Sequence, residues 1–530
     1  MSSTNPNRHS DRTVRPPRRP PLAPARRTLT ERDVTVVEEP LLKRAVAAAA
    51  LGNAMEWFDF GVFAYLATTL GQVFFPSSDH TASTLSALAT FTAAFIVRPI
   101  GGAFFGPLGD RIGRQRVLAI TMILMALGTF AIGLLPGYRQ IGLWAALLLL
   151  LARLVQGFST GGEYGGAATF IAEYAPDKRR GFLGSFLEFG TLAGYVLGAS
   201  IVTGLQFGLS HDAMLQWGWR IPFLIAGPLG VVGLYLRLKL EETPAFQKQQ
   251  EAAAERERAK TPLLRLFAEH WGALLVCIGL VLVFNVTDYM LLSYAPTYLT
   301  ALGGSATTGL LLIVVVMLIM MAVITVGGRL SDRFGRRPVL FAGCVAFFVL
   351  SWPAFRMMQS DSGVLVFLGL LLLGLSLITF TSTMPSTLPA LFPTIIRYGA
   401  LSVAFNVSVS LFGGTTPLFT EALVAAAHNA NLAWASDIPA FYLMAAALIG
   451  FVAVLFTKET ASSPLMGSGP TVSSEDEVEA ILAEWKDPDS DLARSEWGQG
   501  FATSELEVVA LGTDLADSSE SAAPRGSRQP

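Results

Sequence analysis

The sequence predicts an all-α membrane protein, twelve transmembrane helices arranged as two pseudo-symmetric six-helix bundles. Three observations carry this expectation. The chain is 52% hydrophobic and only 15% charged, with a mean hydropathy of +0.50, which is more apolar side chain than a water-facing surface tolerates. Apolar runs of roughly 20 residues or more, enough to cross a bilayer, recur along it. Finally, the segment Gly106-Pro-Leu-Gly-Asp110-Arg111-Ile-Gly113-Arg114-Gln-Arg116 is echoed by Gly328-Arg-Leu-Ser-Asp332-Arg333-Phe-Gly335-Arg336-Arg337, each copy in a short basic gap between apolar runs, as expected of two related halves.

Residues 1–42 are polar and rich in Pro and Arg, and they lack the apolar stretch and cleavage site of a secretory signal. They read as a disordered basic tail. The first six spans cover approximately 43–72, 84–108, 117–136, 142–174, 181–208 and 219–239, giving an N-terminal bundle over 43–239. A hydrophilic stretch at 240–269 separates it from the second bundle, 270–460, with spans near 270–299, 306–330, 339–357, 362–391, 398–426 and 437–457. Residues 461–530 are acidic and read as mostly disordered, apart from a possible helix at 474–485 where Val478, Ile481 and Leu482 have helical spacing.

Positive loops are retained in the cytoplasm. Arg111, Arg114 and Arg116, then Lys178, Arg179 and Arg180, then the central loop, then Arg333, Arg336 and Arg337, and finally Arg397 all fall on one side, against Arg139 and Arg356 on the other. Both termini and the central loop are therefore expected to be cytoplasmic, in a bacterial inner (plasma) membrane. The net charge of −2 averages a basic start and an acidic end and gives no support to nucleic-acid binding. Cys277 and Cys344 lie in apolar runs, as packing residues.

Ionisable groups at membrane depth are costly, and each is a candidate functional group. Asn53, Glu56 and Asp59 recur at three-residue spacing in the first span, with Tyr65 nearby. The fourth span holds Arg153, Gln156, Glu163 and Tyr164. The seventh holds Asn285, Asp288 and Tyr289. A carboxylate in a poorly solvated cavity favours its protonated form, so Glu163, with Glu56 and Asp59, is the candidate for proton coupling. Arg153 reads two ways: as the binder of a substrate carboxylate, or as a permanent link to Glu163 or to an acid of the first span. Asn53, Arg153, Tyr65, Tyr164, Asn285, Asp288 and Tyr289 are the candidate substrate contacts, since aromatic faces attract alkylated cations. In the repeated loop, Gly106, Asp110, Arg111, Gly113 and Arg114, with Asp332, Arg333, Gly335 and Arg336, are the candidate gate. There a carboxylate can pair across helix ends or cap a helix N-terminus, or the loop can serve only to anchor to headgroups.

The duplicated Gly-x-x-x-Asp-Arg-x-Gly-Arg loop resembles the signature of the major facilitator superfamily. Four further segments, Leu51-Gly-Asn-Ala-Met-Glu-Trp-Phe-Asp-Phe-Gly61, Gln156-Gly-Phe-Ser-Thr-Gly-Gly-Glu-Tyr164, Trp217-Gly-Trp-Arg-Ile-Pro-Phe223 and Leu240-Glu-Glu-Thr-Pro-Ala-Phe246, resemble its metabolite:proton symporter family over residues 43–460. The resemblance implies a secondary active transporter rather than an enzyme. It implies proton-coupled uptake of a small zwitterionic osmoprotectant such as proline or glycine betaine, by alternating access. Organic acids such as citrate, 2-oxoglutarate or shikimate are the alternative substrates. Asp288 departs from the pattern of the osmoprotectant carriers that the resemblance implies, an uncharged aromatic there, and an added carboxylate either favours a more cationic solute or disfavours an anionic one. The partners implied are the small-molecule substrate, protons and the lipid bilayer, with no cofactor and no metal, and a monomer is expected. The five His are scattered, and no phosphate-cradling loop, metal cluster or nucleophile motif suggests catalysis.

Overall fold

Long helices dominate because a chain in lipid must satisfy its own backbone hydrogen bonds. The computed structural model describes residues 28–112, 114–238, 270–394, 396–495 and 498. The helices, in order, are α1 (Glu39–Tyr65), α2 (His80–Ile112), α3 (Arg114–Leu134), α4 (Leu143–Tyr174, broken by a turn at 160–162), α5 (Arg180–Gly208) and α6 (Arg220–Leu238). They continue with α7 (Trp271–Ala301), α8 (Ala306–Phe334), α9 (Arg336–Met358), α10 (Gly363–Ala390), α11 (Arg397–Asn429) and α12 (Ile438–Phe456). Each expected span overlaps one of these helices, and the first, 43–72, is divided at Leu66 between α1 and a short helix, Ala67–Phe74. Among the described residues, nine helical segments are long and apolar enough to cross a membrane, and shorter apolar stretches lie at Ala119–Leu134 in α3 and Arg220–Val232 in α6. The expected central loop, 240–269, lies outside the described residues.

The packing repeats between halves. α1 packs on α5, α2 on α4, and α3 on α6; α7 likewise packs on α11, α8 on α10, and α9 on α12. The seams between halves are equivalent too: α5 lies along α8, and α2 along α11. Close approach of α2 and α4 depends on Gly157, where a side-chain carbon would collide with the backbone carbonyl of Ala94. Both α7 and α11 contain a π-helical turn, Met290–Tyr294 and Val409–Gly413. Such turns re-aim side chains at mid-helix and are frequent at functional sites.

Neither tail is wholly without structure. Thr35–Val36 (β1) pairs in parallel with Thr471–Val472 (β2), and Glu475–Lys486 forms a further helix, α13. Before β2, residues 459–472 run as a strap over the ends of α5, α9 and α11. Arg180 donates Nη1–H to the Ser463 carbonyl at 2.9 Å, and Arg397 donates Nη2–H to that of Met466 at 2.8 Å. The Asp177 carboxylate accepts from the Thr471 amide at 3.1 Å. Order arises here because buried guanidiniums need acceptors, a demand invisible in the tail's own composition.

Candidate functional site

Asn53, Glu56 and Asp59 are all buried in α1, and each engages a different helix. Three residues advance a helix by about 300°, so successive members of the triplet fan by about 60°. Asn53 donates to the Leu187 carbonyl at 2.9 Å and to Thr191 Oγ1 at 2.6 Å, both on α5. Glu56 pairs with Arg98 of α2 at 3.1 Å, with both side chains at most 2% exposed. Asp59 Oδ2 accepts from Thr129 Oγ1 of α3 at 2.8 Å.

Two buried arginines flank this face. Arg98 lies over the rings of Phe60 and Phe95, at 4.5 and 4.4 Å. Arg153 of α4 lies over Phe63 at 4.3 Å and donates to Gln156, which itself donates to Thr129 Oγ1 at 2.8 Å. Among the described residues, Nε and Nη2 of each have no hydrogen-bond partner, Arg98 Nη2 being the atom that pairs with Glu56. Buried guanidiniums held on aromatic faces with donors to spare can receive a carboxylate.

Glu163 turns to α3, where Thr121 donates to its Oε1 at 2.8 Å. The adjacent Tyr164 donates to Glu188 Oε1 of α5 at 2.6 Å and stacks on Phe405 of α11, ring centroids 3.9 Å apart. Thr191 donates to the other oxygen of Glu188 at 2.8 Å, so Trp57, Asn53, Thr191, Glu188 and Tyr164 form one connected chain. In α7, Asn285 donates to the Val281 carbonyl at 2.9 Å. Tyr289 packs against Trp57 at 5.7 Å and Phe95 at 5.4 Å. Tyr65 reaches the Met317 sulfur of α8 at 3.9 Å.

At the loop end of the bundles, Asp332 accepts the backbone amides of Gly181 and Phe182 at 2.7 and 2.8 Å, capping α5 of the opposite half. A side-chain carbon at Gly328 would strike the Gly181 carbonyl, so this crossing requires small residues. Gly335 takes a φ of +97°, a left-handed conformation open to glycine, and so lets α9 start at Arg336. Arg336 is fully buried and donates to the Ser386 carbonyl at 3.0 Å. Arg333 is exposed over Phe334 and borders a cleft of about 320 Å³ with Lys178, Arg179, Phe182, Arg329 and Asp332. In the first copy of the loop, only the helical backbone of Gly106, Asp110, Arg111 and Arg114 is described, and Gly113 lies outside the described residues.

The sequence reading overlooked Thr121 and Thr129 of α3, which serve Glu163 and Asp59. Their eight-residue spacing, two helical turns, was the available signal. Glu173, at the end of α4, pairs across the halves with Arg397 of α11 at 2.6 Å.

The fold agrees with solved transporters. The proton:xylose symporter bound to 6-bromo-6-deoxy-D-glucose aligns with a TM-score of 0.63 at 19% identity, covering 84% of this chain and 100% of that one. The partially occluded inward-open xylose transporter from Escherichia coli gives 0.62 at 20%, covering 80% and 99%. Sequence relatives are nearer. The glycine betaine/proline/ectoine/pipecolic acid transporter of Dickeya dadantii is 51% identical over 462 residues, 86% of this chain and 91% of that protein. The proline/betaine transporter of Escherichia coli is 49% identical over 466 residues, 87% and 92% respectively. The profile of the Major Facilitator Superfamily matches residues 46–417. With its repeated loop, paired bundles and buried charge cluster, the chain belongs to the Major Facilitator Superfamily as a multi-pass membrane transporter.

Proposed function

We propose that this chain is a proton-coupled symporter that takes up a small zwitterionic osmoprotectant, proline, glycine betaine or a close relative. The observation that carries the reading is the buried Glu56–Arg98 ion pair beside arginine N–H groups that lack partners. The relatives' named solutes supply the substrate class.

A proton arriving at Glu56 neutralises it and frees Arg98 for the substrate carboxylate, which ties the two bindings together. Asp59 and Glu163, each held by a threonine hydroxyl, are further stations for the coupling proton. Arg153, with its spare donors, is a second group able to receive the carboxylate. Asn53, Tyr65 and Tyr164 line the first half's wall; Asn285, Asp288 and Tyr289 face the ligand across the seam. The Asp332 cap on α5 closes one end of the path, with Asp110 in the equivalent place in the first loop. Basic loops put that end, both termini and the central loop on the cytoplasmic side of a bacterial inner membrane, in a protein working as a monomer. Rocking of the halves about the central site then exposes it alternately, and each charge moved contributes about 2.3 kcal/mol per 100 mV.

The test is radiolabelled uptake into proteoliposomes, with and without an imposed pH gradient. Gradient-driven accumulation of glycine betaine and proline, but not citrate, is expected. Citrate accumulation alone, or betaine uptake indifferent to the gradient, overturns the reading.

A further inference from the structure

Asp288 lies well inside α7, 2% exposed, and its Oδ1 has no hydrogen-bond partner among the described residues. A buried carboxylate oxygen left unpartnered is expensive unless a proton or a cation meets it. Its electrostatic neighbour across the seam is another acid, Glu188 of α5, whose two oxygens are already engaged by Tyr164 and Thr191. No arginine or lysine is paired with Asp288 among the described residues.

What surrounds the seam at this level is aromatic. Tyr289 packs against Trp57 at 5.7 Å, Trp57 against Tyr195 at 5.5 Å, and Tyr195 against Tyr65 at 6.1 Å. The Tyr289 hydroxyl is also without a partner, and it lies within electrostatic range of both Asp288 and Arg98. A carboxyl group on one half and a guanidinium on the other, each with unused bonding capacity, therefore stand on the two sides of the seam, with one phenol in the field of both. An alkylated ammonium suits such an acid among ring faces, because its diffuse charge needs no hydrogen-bond acceptor. Its carboxylate suits the arginine.

Resting on the symport reading above, we infer that Asp288 receives the positively charged nitrogen of the substrate and is the residue that selects zwitterions over plain carboxylates. Arg98, by contrast, answers only to the carboxylate, which both classes share. Selection by Asp288 is thus a property of the second half acting on a ligand that spans both.

The experiment uses the full-length protein in proteoliposomes and two competitors of the same shape. One is glycine betaine; the other is 3,3-dimethylbutyrate, in which carbon replaces the charged nitrogen. D288N is expected to weaken glycine betaine by on the order of tenfold to a hundredfold, leave 3,3-dimethylbutyrate nearly unchanged, and so collapse the ratio between them. D288E should restore much of that ratio. A general packing defect moves both ligands together, and either that result or an unchanged betaine affinity overturns the inference. If the wild-type protein accumulates neither betaine nor proline under a pH gradient, the symport reading falls with it, so the two failures are distinguishable.

Discussion

Asp332 Oδ1 accepts the backbone amide of Gly181 at 2.7 Å, joining α8 of one half to the first turn of α5 in the other. A carboxylate at a helix N-terminus contributes about 0.3–2 kcal/mol, depending on burial. Asp332→Asn keeps an acceptor but removes the charge, so the closed arrangement should lose stability by about 1 kcal/mol, a shift of roughly fivefold toward opening at this end. Spin labels placed across the α5–α8 crossing should report the longer distance more often, with the protein still in the membrane. An unchanged distance distribution refutes a gating role.

The Glu56–Arg98 pair leads to a different expectation. Removing one partner leaves a buried uncompensated charge, at a cost of about 3–5 kcal/mol, whereas removing both is far milder. Glu56→Gln alone should lower the melting temperature in detergent, and adding Arg98→Gln should recover most of it. On the proposed reading, transport should stay lost in the double variant, because the acid that takes the proton and the guanidinium that takes the carboxylate are both removed. Additive melting shifts would show that the two residues act independently.

The helices and the repeat could be read from sequence because lipid imposes a local rule: about 20 apolar residues per crossing, whatever the neighbours do. The burial of Glu56, Asp59 and Glu163 was legible for the same reason, since an acid within such a run stands out. Their partners were not. Asn53 meets Thr191 and Asp59 meets Thr129 across helices distant in the chain, and threonines in a membrane helix more often bond their own backbone, as Thr287 does with the Val283 carbonyl. The strap escaped notice because its order comes from Arg180 and Arg397 rather than from any periodicity in residues 459–472.

Among the described residues, Glu163 accepts from one side-chain hydroxyl, that of Thr121, and in the proposed function it is a station for the coupling proton. Glu163→Gln is expected to spare exchange of labelled for unlabelled substrate while abolishing accumulation. One coupled charge at 100 mV supports a concentration ratio of about fifty, and the variant should fall toward unity. Accumulation that survives at the wild-type level assigns the proton elsewhere, with Glu56 and Asp59 the remaining candidates.

Glu459 yields a pH prediction outside the membrane. Burial opposes its ionisation, but the amides of Arg336, Ala461, Arg337 and Thr460 donate to it and together hold its pKa below the usual glutamate value. A depressed folded-state pKa means that the cap it forms on α9 stabilises at and above the ordinary glutamate range and is lost as pH falls through the lowered value. Hydrogen exchange at the Arg336 and Arg337 amides, corrected for the intrinsic pH dependence, should therefore be protected at neutral pH and deprotected only in acid. Glu459→Gln should expose both amides already at neutral pH, because a neutral amide matches neither the charge nor the two-oxygen geometry that these donors meet. Because the strap continues from Glu459 toward Ser463 and Met466, where Arg180 and Arg397 donate to it, deprotection should spread to residues 459–472 in that variant. Protection that persists there would mean that the strap is held by the two arginines without help from the cap.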